Sequence, residues 1–302
     1  MAVFERVSAG TLEADQVTTR TEPSREEEHL GIDQVIITLA LIALSILFCL
    51  PFLWLVLTSL KPSNEVFAGN WIPSRWVWSN YEDVFKQAPV WRWLLNTLII
   101  CTLAVISVVL SSSLVAFSFA RLKFRGKTWL FALVMGTYLL PGSILLIPTF
   151  LIWNKLGLVN TWFPLWAPNL FGSAFYIFML RQFMLSIPQD LVDAARVDGA
   201  GFFRIYWNIM MPLVRPALVA VAIFEFQAKW NDFFTPLIYL NSRSLYTMSL
   251  GLATFKTDLK ELGNQWSLLM AGSVIFTIPM IVMFFLFQRY FMESVTHTGI
   301  KG

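Results

Sequence analysis

Long stretches without any charged residue constrain this chain more than any other feature of its sequence. Five such stretches are each at least 25 residues long, and they cover residues 34–60, 93–120, 128–154, 156–180 and 262–288. A helix rises 1.5 Å per residue, so about 20 residues cross the hydrocarbon core of a bilayer. The chain is also 57% hydrophobic and only 14% charged, whereas soluble domains carry about 25% charged residues. The sequence therefore predicts an all-α integral membrane protein.

A sixth transmembrane helix is predicted at residues 213–240, which are apolar apart from Glu225, Lys229 and Asp232. These three residues have the spacing i, i+4 and i+7, which places them on one face of a helix. Charges inside a membrane face protein or water rather than lipid. Three interpretations remain open: a Glu225–Lys229 pair against a neighbouring helix, a face that lines a solute pathway, or side chains that reach the lipid edge.

The distribution of positive charge predicts the orientation in the membrane. Six spans put both termini on one side, and that side holds 13 of the 22 Lys and Arg residues. The loop at 121–127 alone contributes four of them and has no acidic residue. Cytoplasmic loops carry the excess of positive charge, so both termini are predicted to be cytoplasmic.

This orientation divides the chain into five regions. A cytoplasmic tail at 1–33 precedes the first span at 34–60, and an extracytoplasmic surface segment of short helices and turns follows at 61–92. The core comprises 93–290, and a second cytoplasmic tail occupies 291–302. Tryptophans cluster around the predicted outer segment, as expected for an interfacial belt; they are Trp71, Trp76, Trp78, Trp91 and Trp93.

The segment between the fourth and fifth spans predicts a short cytoplasmic helix at 188–197. Ser186 and Gln189 have the spacing of a capping box, which would start the helix. Gly199 follows at the position of a C-terminal cap. Leu191, Ala194 and Ala195 are expected to share one face, where small side chains would let another protein approach closely.

The same segment carries a specific resemblance. Asp193-Ala194-Ala195, then Gly199, Ile209 and Met211-Pro212, is similar in residue type and spacing to the EAA loop of importer permeases. Further along, Trp230-Asn231-Asp232-Phe233 resembles a signature of carbohydrate permeases. The chain end Gly299-Ile300-Lys301-Gly302 is similar to the tail of the same family. Together these motifs resemble binding-protein-dependent ABC sugar importers, in particular the maltose-type second permease.

The resemblance implies a type I ABC importer transmembrane domain with six helices in a bacterial cytoplasmic membrane. Its partners would be a second, non-identical permease, two ATPase subunits and an extracytoplasmic sugar-binding protein, with a sugar as solute. ATP and Mg would be bound by the ATPase subunits, so this chain is expected to hold no cofactor and to catalyse no reaction. The implied ATPase-coupling residues are Asp193, Ala194, Ala195, Asp198, Gly199, Ile209 and Pro212. The candidate translocation-pathway residues are Glu225, Lys229, Trp230, Asn231 and Asp232.

Other classes of function are disfavoured by the sequence. Gly126-Lys127-Thr128 looks like the end of a phosphate-binding loop, but the glycine required at position 121 is Arg121. His29 and His297 lie in opposite tails, without metal-ligand spacing, and no basic cluster indicates nucleic acid. A secondary transporter would show internal repeats or paired broken helices, which the sequence does not indicate. Among solutes, glycerol-3-phosphate remains the main alternative to a sugar.

Overall fold

The computed structural model describes residues 32–261 and 265–299 of the chain. All regular elements in this part of the chain are helical. The helices are α1 Ile32–Ser59, α2 Ser79–Gln87, α3 Val90–Arg121, α4 Lys127–Tyr138, α5 Gly142–Lys155, α6 Phe163–Trp166, α7 Ala174–Ser186, α8 Gln189–Val197, α9 Phe202–Ile205, α10 Met211–Leu213, α11 Arg215–Trp230, α12 Phe234–Tyr239, α13 Met248–Glu261 and α14 Trp266–Gly299. Short 3₁₀ turns lie at Ser63–Glu65, Ala167–Phe171 and Arg243–Leu245, and a π-helical turn lies at Tyr206–Met210.

Within the described residues, four helical stretches are long and apolar enough to cross a membrane. They are Asp33–Ser59, Val90–Arg121, Phe163–Ser186 and Trp266–Gln288. Two further pairs qualify only when both helices of the pair are counted as one span. Counted in this way, the described residues contain up to six spans, which agrees with the prediction, although the fourth is displaced from 156–180 to Phe163–Ser186.

Both of the paired spans are bent, which the sequence prediction of continuous helices missed. α4 and α5 meet at 95°, and the segment Phe202–Leu213 meets α11 at 78°. Proline explains where the two bends occur, because it lacks an N–H group and its ring clashes with the preceding turn of a helix. Pro141 precedes α5, and Pro212 and Pro216 flank the second bend. The fifth span is also shorter than the predicted 213–240, since α11 ends at Trp230 and α12 follows separately.

The chain divides into two compact units, 1–50 and 51–302. In the first unit, the described part belongs to α1, and the side chains of residues 33–50 are all exposed. Such an apolar, uncovered helix is suited to contact with lipid. The predicted tail at 1–33 lies almost wholly outside the described residues. At the other end of the chain, α14 continues as a helix to Gly299, so the predicted tail at 291–302 is helical over most of its length.

In the second unit, α3 lies at the centre and packs along α7 and α11. One buried cluster joins these helices to the α8–α10 region; its members include Val108, Phe117, Leu180, Val192, Ile205 and Val221. A second cluster joins the start of α3 to α2, α13 and α14. The α8–α10 region therefore packs in the first cluster and the start of α3 packs in the second. α3 runs from one cluster to the other.

The segment 61–92 consists of short helices and turns, as predicted. The Lys61 ammonium is buried and donates to the carbonyl of Asn70. The Glu65 carboxylate accepts the Ser74 N–H at 3.1 Å and also the Ser74 hydroxyl, and these hydrogen bonds hold the pKa of Glu65 below its usual value.

Trp93 corrects one part of the predicted tryptophan belt. Trp71, Trp76, Trp78 and Trp91 are exposed, but the Trp93 side chain is 0% exposed. Its indole N–H donates to the carbonyl of Arg243 at 3.0 Å. Trp93 is therefore a core residue at the start of α3 and not an interfacial one.

Gly251 in α13 lies directly against Trp93, and this contact gives a testable prediction. A Cβ atom at position 251 would lie 2.3 Å from two ring carbons of Trp93. Alanine normally favours a helix by about 0.5–1 kcal/mol over glycine, but overpacking a core costs about 1–3 kcal/mol. We expect Gly251→Ala to lower the thermal unfolding midpoint of the purified subunit. The matched control is Gly136→Ala in α4, where a new Cβ meets no atom within 4 Å; an equal loss there would contradict the packing argument.

Candidate functional site

The short connecting helix α8 begins at Gln189 and ends at Val197, within one residue of the predicted start. Gly199 terminates it with a positive φ of 77°, a conformation that glycine adopts without strain. The Gly199 N–H donates to the carbonyl of Arg196 at 3.0 Å, and the Ala200 N–H donates to Ala195 at 2.9 Å. These bonds satisfy the last carbonyls of the helix, as in a glycine C-cap. The predicted role of Gly199 in ending the helix is confirmed.

The predicted capping box at the start of α8 is wrong. Ser186 belongs to the last turn of α7, and its hydroxyl donates to the carbonyl of Phe183 at 2.8 Å. The residue that precedes α8 is Pro188, which provides no side-chain cap. The Gln189 amide instead donates to Asp193 at 3.1 Å and accepts from Arg121. Gln189 therefore bonds to Arg121, which is distant in sequence, and the reciprocal bonds of a capping box with Ser186 do not form.

The two faces of α8 have different partners. Val192 and Ala195 are buried and pack with Ile205 and Met210 in the cluster around α3. Leu191, Ala194 and Val197 are exposed, and Val197 is 89% exposed. Leu191 and Ala194 therefore share an outer face as predicted, but Ala195 does not, because it lies at i+3 from Val192 on the inner face. We call the exposed set Leu191, Ala194 and Val197 the outer face of α8.

The remaining residues predicted for coupling surround the same helix. Asp198 is exposed, and its backbone N–H donates to Ala194 at 3.0 Å at the helix end. Ile209, in the π-helical turn, is partly buried against the cluster that holds Val192 and Ala195. Pro212 is exposed in α10, next to the 78° bend into α11. The predicted coupling residues thus lie on α8 and on the connection from α8 to α11.

Arg121 belongs to this region and was not predicted as a site residue. It ends α3, is only 7% exposed, and its guanidinium donates to Gln189 at 2.7 Å and to the carbonyl of Ile187 at 2.6 Å. It also donates to the carbonyl of Met184. The sequence offered one signal, a positive charge at the end of a long apolar run, which we interpreted only as a marker of orientation.

Glu225 and Lys229 come together in α11, with the ammonium 4.0 Å from the carboxylate. The Glu225 residue is 6% exposed, and the side chain of Lys229 is 19% exposed. The amide of Asn169 donates to the same carboxylate oxygen at 2.5 Å. Asn169 lies in the 3₁₀ turn that interrupts the fourth span, and no sequence signal marked it. Among the three open interpretations, this geometry matches a pair packed against a neighbouring helix.

The three residues after Lys229 have different surroundings; they are Trp230, Asn231 and Asp232. Trp230 is fully buried, stacks between Phe226 and Phe276, and donates its indole N–H to the carbonyl of Phe276 at 3.2 Å. Asn231 is exposed and donates to the carbonyl of Gln227 at 2.9 Å.

Asp232 lies beyond the end of α11, and its carboxylate accepts the N–H of Thr235 at 3.0 Å, at the start of α12. The prediction that Asp232 continues one helical face with Glu225 and Lys229 is therefore wrong, because the helix stops at Trp230.

The fold and this site together define a multi-pass membrane protein in which a short connecting helix presents an exposed face. The chain matches, over residues 85–297, the family of inner membrane components of binding-protein-dependent transport systems. The chain belongs to this family.

Individual relatives match over most of their length. The arabinooligosaccharides transport system permease protein AraQ of Halalkalibacterium halodurans is 35% identical over 272 residues, which cover 88% of this chain and 96% of that protein. The trehalose transport system permease protein SugB of Mycobacterium tuberculosis is 32% identical over 254 residues, which cover 84% and 92%. A solved bacterial ABC transporter involved in the import of the acidic polysaccharide alginate has a chain with a TM-score of 0.76 at 23% identity, covering 87% and 98% of the two chains. That likeness supports the fold of an ABC importer permease.

Proposed function

We propose that this chain is a permease subunit of an ATP-driven importer that moves a di- or oligosaccharide across the bacterial cytoplasmic membrane. The observation that carries the proposal is the outer face of α8, which presents small and aliphatic side chains between two spans of a membrane permease. The named relatives transport arabinooligosaccharides and trehalose, and this favours a sugar over glycerol-3-phosphate. Recognition of a phosphate would also favour arginine in the pathway, whereas α11 carries Lys229 as its last charge.

The proposed assembly contains this chain, a second permease, two ATPase subunits and an extracytoplasmic sugar-binding protein. ATP and Mg belong to the ATPase subunits in this proposal. A second solved structure, of a bacterial alginate ABC transporter in complex with an alginate pentasaccharide-bound periplasmic protein, contains a chain that is similar in fold. The excess of positive charge at 121–127 supports cytoplasmic termini, which would place α8 on the side where ATP is available.

In the proposed mechanism, the outer face of α8 docks on an ATPase subunit and moves with it. Val192 and Ala195 hold α8 against the cluster around α3, and the connection through Ile209 and Pro212 leads to α11. Packed interfaces tend to have discrete arrangements, so a displacement of α8 would switch the pathway between outward- and inward-facing states. ATP binding would favour one state through contacts that differ between the two.

The proposed pathway face on α11 is the polar exposed one. Gln227 and Ala228 in the last turn of α11 and Asn231 directly after it are exposed, with the spacing i, i+1 and i+4, and two of the three side chains are polar. Polar side chains within a membrane span face protein or water, so we place this face toward the sugar pathway between the two permeases. Glu225, Lys229 and Trp230 would support that face from behind, through packing, without direct contact with the sugar.

Transport by the reconstituted importer tests the proposal. We expect vesicles that contain this chain, its partner permease and the ATPase subunits to take up labelled arabino- or malto-oligosaccharide. Uptake should require the sugar-binding protein on one side of the membrane and ATP on the other. The control vesicles lack only the ATPase subunits. Uptake of sugar by these control vesicles would contradict the proposal, and uptake of glycerol-3-phosphate but of no sugar would contradict the solute class.

A further inference from the structure

A buried arginine connects the end of the central helix to both sides of the α7–α8 junction. Arg121 donates to the carbonyls of Met184 and Ile187, at the end of α7, and to the side chain of Gln189, the first residue of α8. The last carbonyls of a helix have no partner within the helix. A guanidinium satisfies them well, because it carries donors in a fixed planar fork and favours the negative end of a helix.

Arg121 is a costly way to hold two helix ends together. Its Nε atom is buried and has no hydrogen-bond partner within 32–261 and 265–299. Its hydrogen-bond acceptors are neutral carbonyl and amide oxygens. Among the same residues no carboxylate forms an ion pair with it, and the Asp193 carboxylate stabilises its charge only from beyond ion-pair distance. Burying a charged group carries a desolvation cost, which hydrogen bonds to neutral acceptors offset only in part. The arrangement therefore points to a role beyond stability.

The covalent route from α8 to its neighbours contains residues that terminate helices. Pro188 separates α8 from α7, and Gly199 with its positive φ separates α8 from α9. Arg121 donates to Ile187 before Pro188 and to Gln189 after it, so it links α7 to α8 independently of the proline. The contact reaches α3, which packs against both α7 and α11.

We propose that Arg121 is a positioning residue that carries the displacement of α8 directly to α3, in parallel with the route through α10 and α11. The proposal rests on the proposed docking of α8 on an ATPase subunit. Its distinctive element is the bond from Arg121 to Gln189, because that bond joins the guanidinium to α8 itself. Loss of this bond would leave α8 docked, while less of its motion reaches the spans.

A second arginine that links α3 to α7, away from the α7–α8 junction, provides a matched control. Arg181 in α7 donates to the carbonyl of Phe119 in α3 at 3.3 Å, and its guanidinium lies 4.4 Å from the ring centre of Phe131 in α4. Arg181 thus joins α3, α4 and α7, whereas Arg121 joins α3 and α7 to α8. A variant at Arg181 loosens the packing of α7 against α3 and α4, and it spares the bond between Arg121 and Gln189.

The test measures sugar transported per ATP hydrolysed by the reconstituted importer. We expect Gln189→Ala to lower this ratio about tenfold, which corresponds to one charge-assisted hydrogen bond, while ATP hydrolysis continues. Gln189→Glu keeps an acceptor for Arg121, so its ratio should return to that of the wild type. It can no longer donate to Asp193, so it separates the bond to Arg121 from the bond to Asp193. Arg121→Lys keeps the charge but lacks the fork, so it should lower the ratio. Arg181→Gln should lower the thermal unfolding midpoint and leave the ratio within about twofold of the wild type.

Three results would overturn the inference: an unchanged ratio in Gln189→Ala, an equal loss in Gln189→Glu, or an equal loss in Arg181→Gln. An equal loss in Gln189→Glu would assign the effect to Asp193, and an equal loss in Arg181→Gln would assign it to general loosening of the packing around α3 and α7. Crosslinking separates this inference from the proposed function. In a Cys49→Ser background, Ala194→Cys should crosslink to an ATPase subunit through a thiol-to-amine reagent. Absence of that crosslink would remove both proposals, whereas a crosslink with an unchanged ratio in Gln189→Ala would remove only the role of Arg121.

Discussion

Replacing Ala194 with arginine is expected to reduce ATP-driven uptake by about a hundredfold, while this chain still folds. Ala194 is at the centre of the outer face of α8, and its side chain is exposed, so an arginine fits in the isolated subunit. In the proposed complex the same arginine would be trapped against the ATPase subunit. An uncompensated buried charge at an interface costs about 2–5 kcal/mol, and each 1.4 kcal/mol is about tenfold in binding. The measurement is uptake by the reconstituted importer together with the amount of ATPase that co-purifies.

Two controls separate docking from folding. Thr128→Arg adds the same charge at an exposed position in the first turn of α4, outside the outer face of α8, and should change uptake by less than about twofold. Ala195→Leu enlarges the inner face, so it should lower the thermal unfolding midpoint of this chain, which Ala194→Arg should leave unchanged. Full ATPase binding and uptake by the Ala194→Arg importer would refute the proposed docking surface.

The contrast between Ala194 and Ala195 shows what the sequence could and could not predict about α8. The C-terminal cap at Gly199 was predicted correctly, because it depends on residues close in sequence. Which alanine faces inward depends on where the cluster around α3 lies. Val192 was a usable signal, since an aliphatic residue at i−3 from Ala195 extends an inner stripe. The capping box at Ser186 failed for a related reason, because Arg121, 68 residues before Gln189 in the chain, competes for the Gln189 side chain.

The prediction of the membrane spans was limited in the same way, because it could not include features that depend on distant parts of the chain. Uncharged length predicted the position of α3 at Val90–Arg121 to within a few residues, since hydrocarbon thickness sets that length. Hydropathy reports length and not the direction of the helix axis, so the 95° bend before α5 was missed, although Pro141 stands at the break. Likewise, the i, i+4, i+7 spacing assumed an unbroken helix and carried Asp232 past its actual end at Trp230. Asn169 could not be predicted, because its partner Glu225 is 56 residues away in sequence.

That contact leads to the second large effect: Glu225→Leu is expected to destabilise the subunit by about 3–5 kcal/mol, the cost of breaking a buried ion pair. The substitution leaves the Lys229 ammonium without its carboxylate and the Asn169 amide without its 2.5 Å acceptor. Asn169 also donates to the carbonyl of Ala104 in α3 at 3.2 Å, so its amide group would lose one of its two acceptors. The free energy of unfolding can be measured by titrating the purified full-length chain with SDS in mixed micelles.

The reason for the loss can be tested by removing the second charge as well. If the cost comes from an unpaired ammonium, the double variant Glu225→Leu with Lys229→Met should recover most of the stability, since apolar residues of similar size replace a buried pair at little cost. Glu225→Gln should fall between the wild type and Glu225→Leu, because an amide oxygen still accepts from Asn169 but does not neutralise Lys229. Equal stability of Glu225→Leu and its double variant would contradict the argument from an unpaired ammonium, and it is the result expected if water solvates Lys229. In that case the face of α11 that carries Glu225 and Lys229 would border an aqueous path, and the pathway would have to be reassigned from the face of Gln227 and Asn231 to that of the charged pair.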